Sequence, residues 1–171
     1  MNDKQPPTDI HGFQAVDPWT SEKLVLRRRN LPHLQAAEAT YFVTFRSSLS
    51  QELPLPARDV VIEEFLASDK RSIDLDAVVV MPDHVHAILR LLGCEKLSRV
   101  LQMIKGRSSR RINQLFKREG HVWMDETFDH IIRHEAELEE KIAYIQQNPV
   151  KSGLVTSSED YRWLLMKKHL G

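Results

Sequence analysis

The stretch that decides the reading is Ala77 to Leu91, AVVVMPDHVHAILRL. Runs of β-branched and aliphatic residues flank Met81-Pro82-Asp83, and a Pro-Asp pair between two such runs is a chain-reversal signal. The spacing predicts a β-hairpin. In its second strand side chains alternate between faces. His84, His86, Ile88 and Arg90 share one side, and Val85, Ala87, Leu89 and Leu91 share the other. One face is expected to be core and the other to carry two imidazoles. Two histidines side by side on a rigid strand can act as a pair of metal ligands, although exposed strands also carry histidines that are merely solvated.

Working outward, Thr40 to Arg46 (TYFVTFR) predicts an earlier strand with Tyr41, Val43 and Phe45 on one face and Thr40, Phe42, Thr44 and Arg46 on the other. After the proline-bearing LPLPARD, residues Val60 to Ala67 carry Val61 and Phe65 at helical spacing, with Glu63 and Glu64 outside the stripe. Beyond the hairpin, Leu97 to Arg118 reads as a longer helix with Gly106 as its candidate break. Its apolar stripe is Leu97, Leu101 and Ile104, continued by Ile112, Leu115 and Phe116. The polar remainder is basic: Arg99, Lys105, Arg107, Arg110, Arg111, Lys117 and Arg118, with no acidic residue before Glu119. This is either a solvated face or a phosphate-binding one, and the same choice applies to Arg27, Arg28 and Arg29.

His121-Val122-Trp123 and Thr127-Phe128 predict a short strand and turn, with Trp123 in the core rather than stacked on a base. The last helix is expected from Glu135 to Gln147, stopped by Asn148-Pro149 because proline disfavours the α conformation in the residue before it. Leu138, Ile142 and Ile145 form its buried stripe. Tyr144 and Asn148, four apart, share a partly exposed flank beside that stripe. The tail residues Tyr161, Trp163, Leu164 and Leu165 are expected to pack back on the domain.

Length and composition set limits. The 171 residues suit one domain with a sizeable core. No apolar run approaches the ~20 residues needed to span a bilayer, and MNDKQPPTDI has no signal-peptide character, so a cytoplasmic protein is expected. The single cysteine, Cys94, excludes an internal disulfide and a Cys-rich zinc site. A formal net charge of zero argues against coating nucleic acid by bulk charge and leaves local patches open. Of the eight histidines, His11, His33, His121, His130, His134 and His169 read as surface or packing residues.

Tyr144 is the tyrosine least accounted for by packing, although an interfacial aromatic is its plainer reading. A phenol with a pKa near ~10 needs a base, a cation or a polarised electrophile to act as a nucleophile. A metal held by two histidines and a side-chain amide keeps positions open for a phosphate oxygen, so the parts fit phosphoryl transfer.

Three separated motifs, Val80-Met81-Pro82-Asp83-His84-Val85-His86, the basic helix around Ile104-Lys105-Gly106, and Tyr144-Ile145-x-x-Asn148-Pro149-Val150-Lys151-x-Gly153-Leu154-Val155, resemble the single-tyrosine HUH transposases of the IS200/IS605 type. Within that group the chain looks most like the REP-associated tyrosine transposases. Arg27-Arg28-Arg29-Asn30-Leu31-Pro32-His33 leading into the first strand adds to the likeness, which covers residues 24 to 165. The resemblance implies an α+β, ferredoxin-like antiparallel sheet with helices mainly on one face and the histidine pair on a central strand. It implies one transposase-like domain over 24–165, preceded by an arm over 1–23 whose Pro6, Pro7, Pro18 and polar, aperiodic composition predict flexibility, and followed by a short tail over 166–171. It implies His84, His86 and Asn148 as ligands of a divalent metal, Mg²⁺ or Mn²⁺, and Tyr144 as the nucleophile. Asparagine rather than glutamine at the third position favours the REP-associated group. Lys105, Arg107, Arg110 and Arg111, with Arg27 to Arg29, are then the expected DNA contacts. The implied activity is cleavage and strand transfer of single-stranded DNA at hairpins through a 5′-phosphotyrosine, with no small-molecule substrate and with a monomer favoured over a dimer. A hairpin-binding module without catalysis and a metal-dependent hydrolase using activated water are the alternatives.

Overall fold

A computed structural model describes residues 39–167. The element order is β1 Thr40–Ser47, α1 Leu55–Ser68, β2 Ile73–Val80, β3 His84–Leu91, α2 Leu97–Leu115, β4 Trp123–Ile132, α3 Glu135–Lys151, a 3₁₀ turn Ser158–Asp160 and β5 Leu164–Met166. The strands form one sheet in the order β4-β1-β3-β2-β5, with every neighbouring pair antiparallel. The first four strands with their two crossover helices are the βαββαβ arrangement of a ferredoxin-like fold. The expected α+β class is found, and β3 is the middle strand.

Alternation along β1 and β3 builds two cores, not one. Tyr41, Val43, Phe45, Val85, Ala87 and Leu89 pack with α1 and α2 on one face. Phe42, Ile88, Val79 and Met81 pack with Ile145 of α3 on the other. Two of the three helices therefore share a face, and the side carrying the two imidazoles, expected not to be core, also holds a second core. Ile88 is fully buried there.

Several boundaries differ from the sequence reading, each for a physical reason. Helix α2 runs unbroken through Gly106, because Leu101 and Ile104 before it and Ser108 and Ile112 after it are all buried on one side. That burial outweighs the ~1 kcal/mol a helical glycine costs. Its buried stripe stops at Ile112; Leu115 and Phe116 at the helix end are exposed. Glu64 is buried rather than outside the α1 stripe, since Arg111 of α2 reaches it at 2.8 Å. The predicted short strand and turn after His121 is one ten-residue edge strand, held to β1 from Thr40↔Ile132 to Ser47↔Trp123 across a bulge. Trp123 is in the core as expected, its indole Nε1 donating to Ser108 Oγ at 2.9 Å.

Helix α3 does not stop at Gln147. It continues to Lys151 with Pro149 inside it, because Ile145, Asn148 and Pro149 are buried and packing overrides the local preference. It ends in a Schellman turn: the Leu154 and Gly153 N–H groups donate to the Pro149 and Val150 carbonyls, with Gly153 at φ +68°. Its start is fastened by His134, whose Nδ1 accepts from the Glu137 N–H, and by the Glu137 carboxylate, which accepts from the Arg133 N–H and pairs with His130 Nε2 at 2.6 Å. His130 and His134 are thus capping and packing residues.

The tail packs back as expected. Strand β5 pairs with β2, Tyr161 donates its hydroxyl proton to the Val80 carbonyl, and Trp163 Nε1 donates to Asp59. The last strand reaches Met166, one residue past the domain end read from the sequence. Among the described residues no helix is long and apolar enough to cross a membrane. The expected arm and Arg27, Arg28 and Arg29 lie outside the described residues.

Candidate functional site

The turn Met81-Pro82-Asp83 is tied down on both sides. Met81 N–H donates to the His84 carbonyl, Ser47 N–H to the Asp83 carbonyl and Leu53 N–H to the Pro82 carbonyl. His84 and His86 therefore sit on a fixed strand start, their ring centroids 4.6 Å apart in an edge-to-face arrangement.

Each imidazole has one nitrogen engaged. His84 Nδ1 lies 2.6 Å from Asp83 Oδ1, and the other carboxylate oxygen accepts from Arg46 at 2.8 Å. His86 Nδ1 lies 2.7 Å from the hydroxyl of Thr44, its cross-strand partner on β1. Burial, with the neighbouring His84 as a lesser cause, pushes the His86 imidazole down to about 3, so it is neutral at physiological pH. Asp83 is held below the usual carboxylate range: burial pushes it up, but His84 and Arg46 together pull it down further.

Tyr144 enters this site from α3. Its ring stands edge-on to His86 at 5.2 Å between centroids and edge-on to Phe42 at 6.1 Å. Phe42 in turn stacks on His86 at 5.4 Å and carries Lys141 Nζ 5.7 Å from its ring centroid. Asn148 lies one turn past Tyr144 within the same helix and is buried, where a partly exposed flank was expected. Because α3 continues through Pro149, the four-residue spacing of Tyr144 and Asn148 is a true helical spacing.

A divalent metal fits these residues chemically. Ligating imidazoles characteristically bond a second group through the ring nitrogen that does not bind the metal, and both histidines do so here. A neutral His86 is in the donor form. Asn148, buried on the facing helix, would supply an amide oxygen as a further donor. Among the described residues no cluster of three His, Cys, Asp or Glu side chains that could hold a metal is present.

The basic residues lie apart from this constellation. Helix α2 packs on the opposite face of the sheet from His86, Phe42 and α3. Lys105 is committed internally, donating to the Met124 and Asp125 carbonyls and to Thr127 Oγ1, and Arg111 pairs with Glu63 and Glu64. Arg107 and Arg110 are exposed. Sequence reasoning missed Thr44, Asp83, Arg46, Phe42 and Lys141 as site residues. The strand alternation had put Thr44, Phe42 and Arg46 on one face, but only the β1–β3 register, Thr44↔His86 and Arg46↔His84, brings that face to the histidines.

An antiparallel α+β sheet with paired histidines on its middle strand, facing a tyrosine on a packed helix, defines the class of site. Residues 59–148, more than half the chain, match the family model described as IS200-like transposase, and the chain belongs to that family. It is 27% identical over 95 residues to a Haemophilus influenzae protein named as a REP-associated tyrosine transposase, over 50% of this chain and 54% of that protein. The chain thus spans about half the length of this curated relative. A solved structure described as a REP-associated tyrosine transposase bound to a REP hairpin shares the fold, with a TM-score of 0.65 and 22% identity over 78% of this chain and 80% of that one.

Proposed function

We propose that this protein cleaves and rejoins single-stranded DNA beside hairpins of the REP type, using Tyr144 as nucleophile. The observation that carries the reading is the placement of Tyr144 edge-on to His86, in a family of transposases. His84, His86 and Asn148 hold the divalent metal, Mg²⁺ or Mn²⁺. When bound, it supplies Lewis acidity toward a phosphate oxygen. Imidazole donors favour Mn²⁺ over Mg²⁺, so tighter binding of Mn²⁺ is expected.

The Tyr144 oxygen attacks the phosphorus as its proton departs. The bond from phosphorus to the 3′ oxygen breaks, and that oxygen takes up a proton. The products are a 5′-phosphotyrosine and a free 3′-OH. Since one phosphodiester is exchanged for another, attack by a second 3′-OH reverses the step and joins strands without ATP. Phe42 and Ile145 pack beneath the tyrosine-bearing turn and hold the phenol against the imidazole.

Arg107 and Arg110, with Arg27, Arg28 and Arg29, bind the phosphate backbone. DNA that touches α2 has to pass round the sheet to reach Tyr144, which a flexible single strand beside a stem can do. Support for hairpins comes from what the two similar proteins are named as and bound to. The test is a denaturing gel of the protein with Mn²⁺ and hairpin oligonucleotides from the DNA flanking its own gene. A slower-migrating covalent species lost in Tyr144→Phe is expected; cleavage that survives the substitution without an adduct points to activated water instead.

A further inference from the structure

The two histidines are oriented by chemically different partners. Asp83 offers His84 an ionised carboxylate, which can only accept, so His84 Nδ1 is the donor of this bond and the lone pair of the neutral ring lies on Nε2. Arg46 on the second carboxylate oxygen holds that geometry. Thr44 offers His86 a hydroxyl, which can accept or donate. When Thr44 accepts, His86 Nε2 is a ligand; when it donates, the proton moves to Nε2 and that nitrogen cannot bind metal. Thr44 is fully buried and His86 nearly so, and no solvent competes for this bond.

We propose that Thr44 and Asp83 are the positioning residues of the metal site: Asp83 accepts from His84 Nδ1, Thr44 with its hydroxyl in the accepting orientation does the same for His86 Nδ1, and both Nε2 atoms are thereby presented to the ion. The inference rests on the reading of His84 and His86 as ligands. It assigns a role to the strand β1 motif that the nucleophile and ligands leave unexplained. Thr44 is a fully buried polar residue directly across the strand pair from His86.

The experiment is a Mn²⁺ titration of the full chain without DNA, followed by the electron paramagnetic resonance of free Mn²⁺. Thr44→Val removes the hydroxyl at nearly constant shape and is expected to weaken Mn²⁺ binding by about 10–100-fold, the usual loss for such partners. Asp83→Ala is expected to do the same, and Thr44→Ser to restore binding. A Thr44→Val protein that binds Mn²⁺ like wild type, while His86→Ala loses it, overturns the inference and leaves the ligand reading standing. Wild-type protein that binds no Mn²⁺ overturns both. A second readout needs no variant: ¹⁵N shifts of His84 and His86 with Mg²⁺ bound should show protonated Nδ1 and unprotonated Nε2 in each ring. The opposite assignment in either ring overturns the proposal.

Discussion

Tyr144 and His86 of one chain meet edge to face, 5.2 Å between ring centroids. The proposed nucleophile and the proposed metal donors are therefore assembled by packing α3 against β3 within a single polypeptide.

From this follows a complementation prediction. A mixture of Tyr144→Phe and His86→Ala proteins should remain inactive in strand cleavage, because each site lacks a part that its own chain must supply. Activity recovered on mixing, measured as adduct formation, would show that tyrosines are exchanged between subunits.

The basic helix predicts two separable effects. Arg107→Ala and Arg110→Ala should each reduce the dependence of log affinity on log salt by about 0.7–0.9, one phosphate contact apiece, with melting temperature unchanged. Arg111→Ala should instead lower stability, by about 1–2 kcal/mol, because it removes the hydrogen-bonding partner of buried Glu64 from a pair that solvent partly screens. Salt titrations of DNA binding alongside thermal melts check both. An Arg111→Ala protein with wild-type melting and a reduced salt slope would return that residue to the DNA surface.

Ser108→Ala tests the joint between α2 and β4. It leaves the Trp123 indole N–H buried without an acceptor, at a cost of about 1–3 kcal/mol in chemical denaturation. A loss under ~0.5 kcal/mol would mean the indole finds another partner.

The α3 cap carries a pH signature. Burial pushes the Glu137 carboxyl up, but the Arg133 N–H and the His130 and His134 imidazoles pull it below its ordinary value. The folded state thus binds fewer protons at this carboxyl than the unfolded one. The stabilisation is full above the unfolded value, about 4.5, and disappears as pH falls through the folded one. Glu137→Gln should flatten the pH dependence of stability below pH 4.5. An unchanged acid limb would remove Glu137 from the account.

How far the sequence spoke for itself differs from residue to residue. The hairpin, the faces of β1 and β3, and the core position of Trp123 were legible because a period of two and a Pro-Asp turn are local signals. The path of α3 through Pro149 was not, because the burial of Ile145, Asn148 and Pro149 that sustains it is tertiary. Thr44 and Asp83 escaped for a related reason: Asp83 was read as a turn residue and Thr44 as a strand residue, and register alone brings Thr44 to His86. The basic run on α2 was legible as charge, but that Arg111 is spent on Glu63 and Glu64 and Lys105 on the β4 backbone depends on what the helix packs beside.

The most direct test of the central claim is to map the covalent adduct itself. The protein is incubated with Mn²⁺ and a hairpin oligonucleotide cleaved beside its stem, digested, and its peptides are analysed by mass. The account predicts one modified peptide, carrying a DNA fragment joined through its 5′ phosphate to Tyr144, and none from Tyr144→Phe. An adduct on Tyr41 or Tyr161, a linkage through a 3′ phosphate, or cleaved DNA with no modified peptide would contradict it.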